Sequence, residues 1–222
     1  MWFKADMHIH SIHSDGRNSP REIINYALYR DLKIISITDH DTFQGSIVAR
    51  TEAKALSNEI LVVTGIELRS DRGDILLYCY EPIDTPREIS LLIDYAHENN
   101  CIVIPAHPFD LFRYGIGDAI RYYNGWDGIE VWNASANKNA NKKAIRLANE
   151  LGLPGLANSD AHIVEYIGVA YTLIEMDELD IENLFKSIRN KRVKPHYGYP
   201  SFNFFLKNIK WSLIRRITKL RI

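Results

Sequence analysis

The chain has 222 residues, of which 46% are hydrophobic and 25% are charged. So much apolar content can bury a sizeable core in one large domain, which excludes a mainly disordered chain. No segment approaches the ~20 uninterrupted apolar residues that a membrane-spanning helix needs. The chain reaches the charged Asp6 without a signal-peptide core, and Cys79 and Cys101 lie singly in apolar runs. We therefore expect a cytoplasmic protein with two buried thiols.

Short β-branched runs alternate with helical segments up to about residue 195, without repeats or linkers. Several runs are continuously apolar, which is typical of parallel strands covered by helices. The alternation fits either a closed (β/α) barrel or an open doubly wound sheet, and periodicity does not separate the two. The predicted strands are Trp2–His10, Ile34–Thr38, Ile60–Glu67, Asp74–Tyr80, Ile102–Ala106, Gly128–Asn133, Pro154–Asn158 and Val169–Ile174.

Capping signals predict the helices. An N-cap, a Pro in the first turn and a capping-box Glu occur in order in Ser19-Pro20-Arg21-Glu22, and again in Thr85-Pro86-Arg87-Glu88. Two further helices are predicted over residues 139–151, ending at Gly152, and over residues 181–190.

Histidines and acids cluster where predicted strands give way to loops. Alternate residues of a strand share a face, so Asp6, His8 and His10 point the same way and both imidazoles can reach one ion. In an α/β barrel such strand ends meet at one rim, where active sites are built. We therefore expect a metal site at this rim. The other strand ends carry Asp39-His40-Asp41, Glu67, His107 and Asp160-Ala161-His162.

As an ordered series, these fragments resemble the PHP (polymerase and histidinol phosphatase) metallohydrolases over roughly residues 5–175. The stretch 129–133 also looks like family members that act on small phosphoesters. The resemblance implies a distorted (β/α)7 TIM-like barrel that holds up to three divalent ions. The fragments are Asp6-x-His8-x-His10, Ser14-Asp15-Gly16, Thr38-Asp39-His40-Asp41, Gly65-Ile66-Glu67, Ala106-His107-Pro108 and Ser159-Asp160-Ala161-His162.

The resemblance also implies a ligand set for each ion. Family members usually give the second ion another histidine, which is missing from the stretch after Glu67, so Asp74 is the candidate substitute. The first ion is assigned His8, His10, Glu67 and Asp160, the second His107 with Glu67 as the bridge, and the third Asp15, His40 and His162.

Imidazole and carboxylate ligands without cysteine suit Mn, Zn or Fe. Two such ions ~3.5–4 Å apart can clamp a phosphoryl group and supply hydroxide, so we expect attack by metal-bound hydroxide and no amino-acid nucleophile. Asp6 and Asp39 are predicted to orient the ligand imidazoles. Asn133 and Arg69, in positions that follow or end strands, are candidate substrate contacts.

Charge divides the chain into an acidic body and a basic tail. The net charge is −1, from 27 Lys and Arg against 28 Asp and Glu, but residues 201–222 hold six of the cations and no acid, which leaves −7 on residues 1–200. We expect a barrel over 1–200 and a basic amphipathic helix over 201–222 that docks on the barrel or a second subunit, lies on anionic lipid, or contacts nucleic acid. Its predicted apolar stripe is Phe202, Phe205, Ile209, Leu213, Ile217 and Leu220.

The function predicted from these residues is a metal-dependent phosphoesterase that acts on a small phosphorylated substrate. A nucleotide or the end of a short oligonucleotide ranks first, and a histidinol-phosphate-type phosphatase is an alternative. A non-catalytic RNA- or protein-binding barrel is the alternative from a different class, although such a barrel has no need of eight ligand residues.

Overall fold

The computed structural model describes residues 1–56 and 59–219. Nine strands lie within these ranges: β1 Trp2–Ile9, β2 Ile34–Ile37, β3 Leu61–Arg69, β4 Asp74–Cys79, β5 Ile102–Pro105, β6 Ile129–Asn133, β7 Gly155–Asn158, β8 Tyr171–Glu175 and β9 Val193–His196. The α-helices of the same ranges are α1 Pro20–Tyr29, α2 Gln44–Leu56, α3 Ile89–Glu98, α4 Lys138–Leu151, α5 Ile181–Arg189 and α6 Phe202–Lys219.

The strands curl into a distorted TIM-like barrel, which confirms the predicted fold class and excludes the open doubly wound sheet. Seven strands form one sheet in the order β5-β4-β3-β2-β1-β8-β9, and β6 pairs with β7. This pair closes the ring, because β6 packs beside β5 while β7 packs against β1, β8 and β9. Asn158 on β7 accepts a hydrogen bond from the Met7 amide of β1 at 3.0 Å.

The prediction of a parallel sheet is only partly correct. β1–β2, β2–β3 and β6–β7 are parallel, whereas β3–β4, β4–β5, β1–β8 and β8–β9 are antiparallel. The reason is visible at β3–β4, where the four-residue turn 70–73 is far too short for the crossover that a parallel pair needs. Full burial on both faces explains why the antiparallel strands β4 and β5 still read as apolar runs.

One of the two predicted capping boxes is formed. Ser19 accepts from the Glu22 amide, and the Glu22 carboxylate accepts from the Ser19 amide at 2.8 Å. The box predicted at Thr85 is wrong, because α3 begins only at Ile89. Its first amide donates instead to the Asp71 carboxylate at 3.2 Å, a contact from a distant loop that local sequence does not encode.

Cys79 and Cys101 form a disulfide, so the prediction of two thiols is wrong. The two residues lie at the end of β4 and directly before β5, neighbouring antiparallel strands that bring their Cα atoms to 4.3 Å. The argument for a reducing compartment fails with it, and a cytoplasmic location stays a prediction. Among the described residues, no helix is long and apolar enough to cross a membrane.

α6 docks on the barrel through a face other than the predicted stripe. Phe204 and Trp211 pack against the core cluster that includes Ile23 and Tyr166. Five residues of the predicted stripe are exposed, namely Phe202, Phe205, Ile209, Leu213 and Ile217. The sixth, Leu220, lies outside the described residues. The prediction that this stripe docks on the barrel is therefore wrong, because the side of the helix that faces the barrel is the one that carries Trp211 and Arg215. Contact of the stripe with a second subunit or with lipid stays a prediction.

Candidate metal centre

Five strand ends deliver the predicted ligands to one rim of the barrel. A parallel bridge between His40 and Glu67 ties the loop after β2 to β3, and a bridge between Ile9 and Ala161 ties β1 to the loop after β7. His107 and Asp160 adopt positive φ angles of 28° and 50°. Such backbone is uncommon outside glycine and persists where the surrounding structure enforces it, often at functional sites.

Glu67 lies at the centre of the donor atoms. Its Oε2 lies 3.3 Å from His10 Nε2, 3.4 Å from His8 Nε2 and 3.0 Å from His40 Nδ1. Its Oε1 lies 2.9 Å from His107 Nε2. One carboxylate thus faces four imidazoles, as a bridging ligand would.

Two aspartates flank Glu67. Asp160 Oδ1 lies 3.2 Å from His10 Nε2, and Asp15 Oδ1 lies 3.1 Å from His162 Nε2. Asp15 reaches this position because the loop folds back tightly at Gly16, where an added Cβ would lie 2.2 Å from the His10 carbonyl oxygen.

The structure gathers all eight predicted ligands into three overlapping sets of donor atoms. Within each set of the described residues, the atoms lie within 4.8 Å of one another. His8 belongs to two of the sets and His10 to two, so the sets differ in detail from the ligand assignment carried over from the family. They are His8, Glu67 and His107; His8, His10 and Asp160; and His10, Asp15, His40 and His162.

These sets fit divalent cations. Among the described residues, buried atoms without a hydrogen-bond partner include His8 Nε2, both ring nitrogens of His10, Asp15 Oδ1 and Glu67 Oε2. A buried polar atom without a partner costs free energy, and native proteins rarely collect several in one place. Nitrogen and oxygen lone pairs aimed at a common space are the donors that a first-row divalent cation takes.

At His10, Glu67 and Asp160 the electrostatics favour the protonation states that a cation needs. At His8, His40 and His107 burial favours the neutral ring, but the surrounding carboxylates outweigh it and raise the pKa of each imidazole. Burial, with the neighbouring His162, lowers the pKa of His10 to about 3, so this imidazole is neutral. Burial opposes ionisation of Glu67, but His8 and His107 hold its pKa well below the usual range. Against the same burial penalty, Arg113 holds the pKa of Asp160 well below the usual range. Neutral imidazoles and ionised carboxylates are the ligand forms of these groups.

Sequence reasoning missed a role for Glu130. Its Oε1 lies 2.9 Å from His8 Nδ1, which leaves His8 Nε2 to face Glu67 and Asp160. Its Oε2 accepts from the His107 amide at 2.7 Å. The signal was a single acid inside the apolar strand β6, where an unpaired carboxylate would be costly.

Among the described residues, the hydrogen bonds to Asp6 and Asp39 come from loop amides and serine hydroxyls and not from the predicted imidazoles. Asp6 accepts from the amides of Ser159 and Gly168 at 3.0 and 2.8 Å. Asp39 accepts from the Ser11 amide and hydroxyl at 2.7 and 2.6 Å and from the Ser14 hydroxyl. Both acids therefore hold the loops that carry ligands. The amides of these loops have left the sheet and donate to a buried carboxylate instead.

Asn133 is fully buried, which corrects its prediction as a substrate contact. Its side-chain amide donates to Glu130 at 3.1 Å and to Asp160 Oδ2 at 3.2 Å, while its Oδ1 accepts from the amides of residues 135 and 136. Asn133 thus holds the carboxylates of Glu130 and Asp160 in position.

Arg69 lines the pocket over the donor atoms, as its prediction requires, and pairs with Asp74. Its guanidinium lies 3.7 Å from the centre of the Tyr114 ring. Asp74 is buried and lies outside the three donor sets of the described residues. Asp74 therefore has a guanidinium as its partner, and its role as a substitute ligand stays a prediction.

The site and the barrel can be compared with known proteins. The family model described as PHP domain matches residues 6–116, and the one described as PHP-associated matches residues 138–193. An uncharacterized Methanocaldococcus jannaschii protein is 31% identical over 145 residues, which cover 59% of this chain and 82% of that protein.

Two solved structures share the fold. A two-domain Bacteroides vulgatus protein, described as containing a predicted PHP-like metal-dependent phosphoesterase, is similar with a TM-score of 0.73 at 20% identity, over 89% of this chain and 65% of that one. Endonuclease Q, in complex with a DNA duplex carrying an abasic lesion, has a TM-score of 0.64 at 19% identity, over 86% of this chain and 57% of that one. Since the PHP domain model alone matches half of the chain, the protein belongs to the PHP domain family.

Proposed function

We propose that the protein hydrolyses a phosphate ester of a nucleotide or of the end of a short oligonucleotide. The observation that carries this proposal is the composition of one pocket, in which the donor atoms form the floor and arginines and aromatic rings form the walls. Its volume of about 370 Å³ falls in the range of sites for small ligands.

Arginines supply the positive charge that a phosphate ester needs. Arg69, Arg113, Arg215 and Arg216 line the pocket, and Arg113 pairs with Asp160 on its floor. An acid partner holds a guanidinium in a fixed orientation, and a fixed guanidinium presents its remaining N–H groups to phosphoryl oxygens. We assign Arg69 and Arg113 to the phosphate for this reason.

Aromatic rings at the mouth of the pocket favour a nucleobase. Phe112 is 96% exposed, and Tyr114 beside it stacks on Arg69. A phenyl ring this exposed buries little area in the fold, whereas a base that stacks on such a ring gains ~1–3 kcal/mol. The structurally similar Endonuclease Q is bound to DNA, which supports a substrate of this class.

The ligand residues would hold two or three divalent ions of Mn, Zn or Fe. Bound there, such ions would polarise the phosphoryl oxygens and lower the pKa of a water. The ion assigned to His8 and His10 would share Glu67 with the ion assigned to His107, and Asp15 would serve the third ion. Glu130 keeps the His8 ring oriented through Nδ1, so that Nε2 stays available.

Phosphate release from a panel tests the substrate class. The protein is stripped of metal, reloaded with Mn²⁺ and assayed with mononucleotides, nucleoside bisphosphates, short RNA, histidinol phosphate and glycerol 3-phosphate, which has no ring to stack. Phe112→Ala is expected to lower kcat/KM about tenfold or more for base-containing substrates only, given the stacking energy above. Leu111→Ala is the matched control, since Leu111 is 79% exposed beside Phe112 but lies outside the pocket lining. An equal loss on glycerol 3-phosphate, or turnover of histidinol phosphate alone, would contradict the nucleotide proposal.

A further inference from the structure

α6 lies outside both stretches that match the family models, yet it forms a wall of the pocket. The residues that it contributes recur every three or four positions and so share one face of the helix. They are Asn208, Trp211, Ser212, Arg215 and Arg216.

This face holds Asp15 by two different groups. Trp211 Nε1 donates to the main-chain oxygen of Asp15 at 3.0 Å. Arg215 donates to the same oxygen at 3.3 Å and also pairs with Asp15 Oδ2. A helix about 200 residues away in sequence thus fixes both the backbone and the carboxylate of a predicted ligand.

The two carboxylate oxygens of Asp15 have separate environments. Oδ2 faces Arg215, whereas Oδ1 faces His162 Nε2 at 3.1 Å, His10 Nδ1 at 3.6 Å and His40 Nε2 at 3.7 Å. Among the described residues, Oδ1 is buried and has no hydrogen-bond partner. Arg215 therefore leaves one oxygen lone pair directed at three imidazoles.

Asp160 shows the same arrangement within the family-matched barrel. Arg113 and Asn133 hold its Oδ2, while Oδ1 lies near His8 and His10. On both aspartates an arginine takes the outer oxygen and the inner oxygen faces the donor set. The repetition indicates that the arginines orient these carboxylates for a shared purpose.

We propose that Arg215 is a positioning residue for divalent-cation binding by His10, Asp15, His40 and His162, and that docking of α6 and occupancy of this donor set stabilise each other. The inference rests on the proposed metal centre. Removing a group that orients a metal ligand typically weakens metal affinity 10–100-fold. Because coupling between two binding events is reciprocal, a cation in this set also stabilises the docked helix.

Metal binding to the full-length protein tests the inference. Mn²⁺ is titrated by calorimetry into wild type, Arg215→Met and Arg215→Lys, and metal content is measured after desalting. We expect Arg215→Met to bind one Mn²⁺ per chain 10–100-fold more weakly than wild type, and Arg215→Lys to restore part of the loss. His40→Ala provides the reference for loss of one ion. Lys210→Met is the matched control, since Lys210 is exposed on α6 and lies outside the pocket lining.

A second measurement reports on the helix itself. Added Mn²⁺ should slow tryptic cleavage within α6 of the wild type, and this protection should be weaker in Arg215→Met and in Trp211→Phe. Unchanged Mn²⁺ affinity in Arg215→Met would overturn the inference, and tighter binding would show that Arg215 competes with the cation. Absence of Mn²⁺ binding by the wild type would instead overturn the metal centre on which the inference depends.

Discussion

Two layers of buried polar side chains lie under the pocket, and their hydrogen bonding differs. The upper one, the donor layer, consists of the eight predicted metal ligands and contains several buried atoms without partners among the described residues. The lower one, the support layer, consists of Asp6, Asp39 and Glu130. Its carboxylates accept from loop amides, serine hydroxyls and, for Glu130, also a ligand imidazole and two asparagine amides.

The difference separates residues that act on a ligand from residues that hold the fold. A buried carboxylate with all its partners stabilises the loops around it, whereas a buried donor without a partner is a cost unless something binds there. Substitutions in the donor layer should therefore remove activity and metal, while those in the support layer should lower stability.

The largest effect is expected for Glu67→Gln. The amide keeps the volume but loses the charge that faces four imidazoles, so kcat/KM for phosphate release should fall by about 10³-fold or more, or ~4 kcal/mol in the barrier. Circular dichroism should show an unchanged fold. Glu178→Gln, at an exposed site, is the control. Turnover near the wild-type level in Glu67→Gln would remove Glu67 from the centre of the site.

Asp39→Ala should act on stability first. The substitution leaves the Ser11 amide and two hydroxyls without their acceptor in a buried loop, which should lower the free energy of unfolding by about 3 kcal/mol. Denaturant unfolding of the metal-free protein measures it. Asp94→Ala, on the exposed side of α3, should change it by less than ~0.5 kcal/mol. Equal stability of the two variants would place Asp39 outside the support layer.

Asp6 gives the support layer a pH signature. Burial raises the pKa of Asp6 to about 6, from an ordinary value of 3.8. The folded state thus binds the proton more tightly, so the contribution of Asp6 to the free energy of unfolding falls as pH rises from about 4 to about 6, by up to ~3 kcal/mol. The difference between wild type and Asp6→Asn should follow this slope in metal-free protein. A difference independent of pH would show that the buried carboxylate is already ionised at pH 4.

Glu130 connects the two layers, and the substitution Glu130→Gln should have the smallest effect. Loss of the carboxylate beside His8 Nδ1 leaves the ring less well oriented, so Mn²⁺ affinity should fall 10–100-fold, or about 1.4–2.7 kcal/mol. Calorimetric titration measures this, with Glu178→Gln again as the control. An affinity unchanged by the substitution would mean that the packing around His8 orients the ring without Glu130.

The rim could be predicted from sequence because it depends on local order. Period-two spacing puts His8 and His10 on one face, and a barrel brings together the C-terminal ends of strands that run in the same direction. The strands that carry ligands all do so, namely β1, β2, β3, β5 and β7. The barrel was therefore predicted correctly although β4, β8 and β9 run antiparallel to their neighbours. Strand direction depends on connection length, which the pattern of apolar runs does not encode.

The support layer and the wall from α6 could not be predicted in the same way. Asp6 meets Gly168, and Arg215 meets Asp15, across most of the chain, and such partners are set by tertiary packing alone. The same holds for Asn133, whose position at the end of a strand suggested a contact with substrate, although its side chain is wholly buried. The disulfide between Cys79 and Cys101 likewise could not be predicted without the pairing of β4 with β5, which brings the two residues together.

The most direct test of the donor layer is metal content and phosphate release measured on one preparation of the full-length protein. The sample is assayed on a mononucleotide as purified, after chelation and desalting, and after addition of Mn²⁺. We predict that chelation abolishes turnover and that reloading restores it together with two or three bound ions per chain. Turnover that survives removal of all metal, or a reloaded protein that binds no metal, would contradict the assignment of these eight residues to a catalytic metal centre.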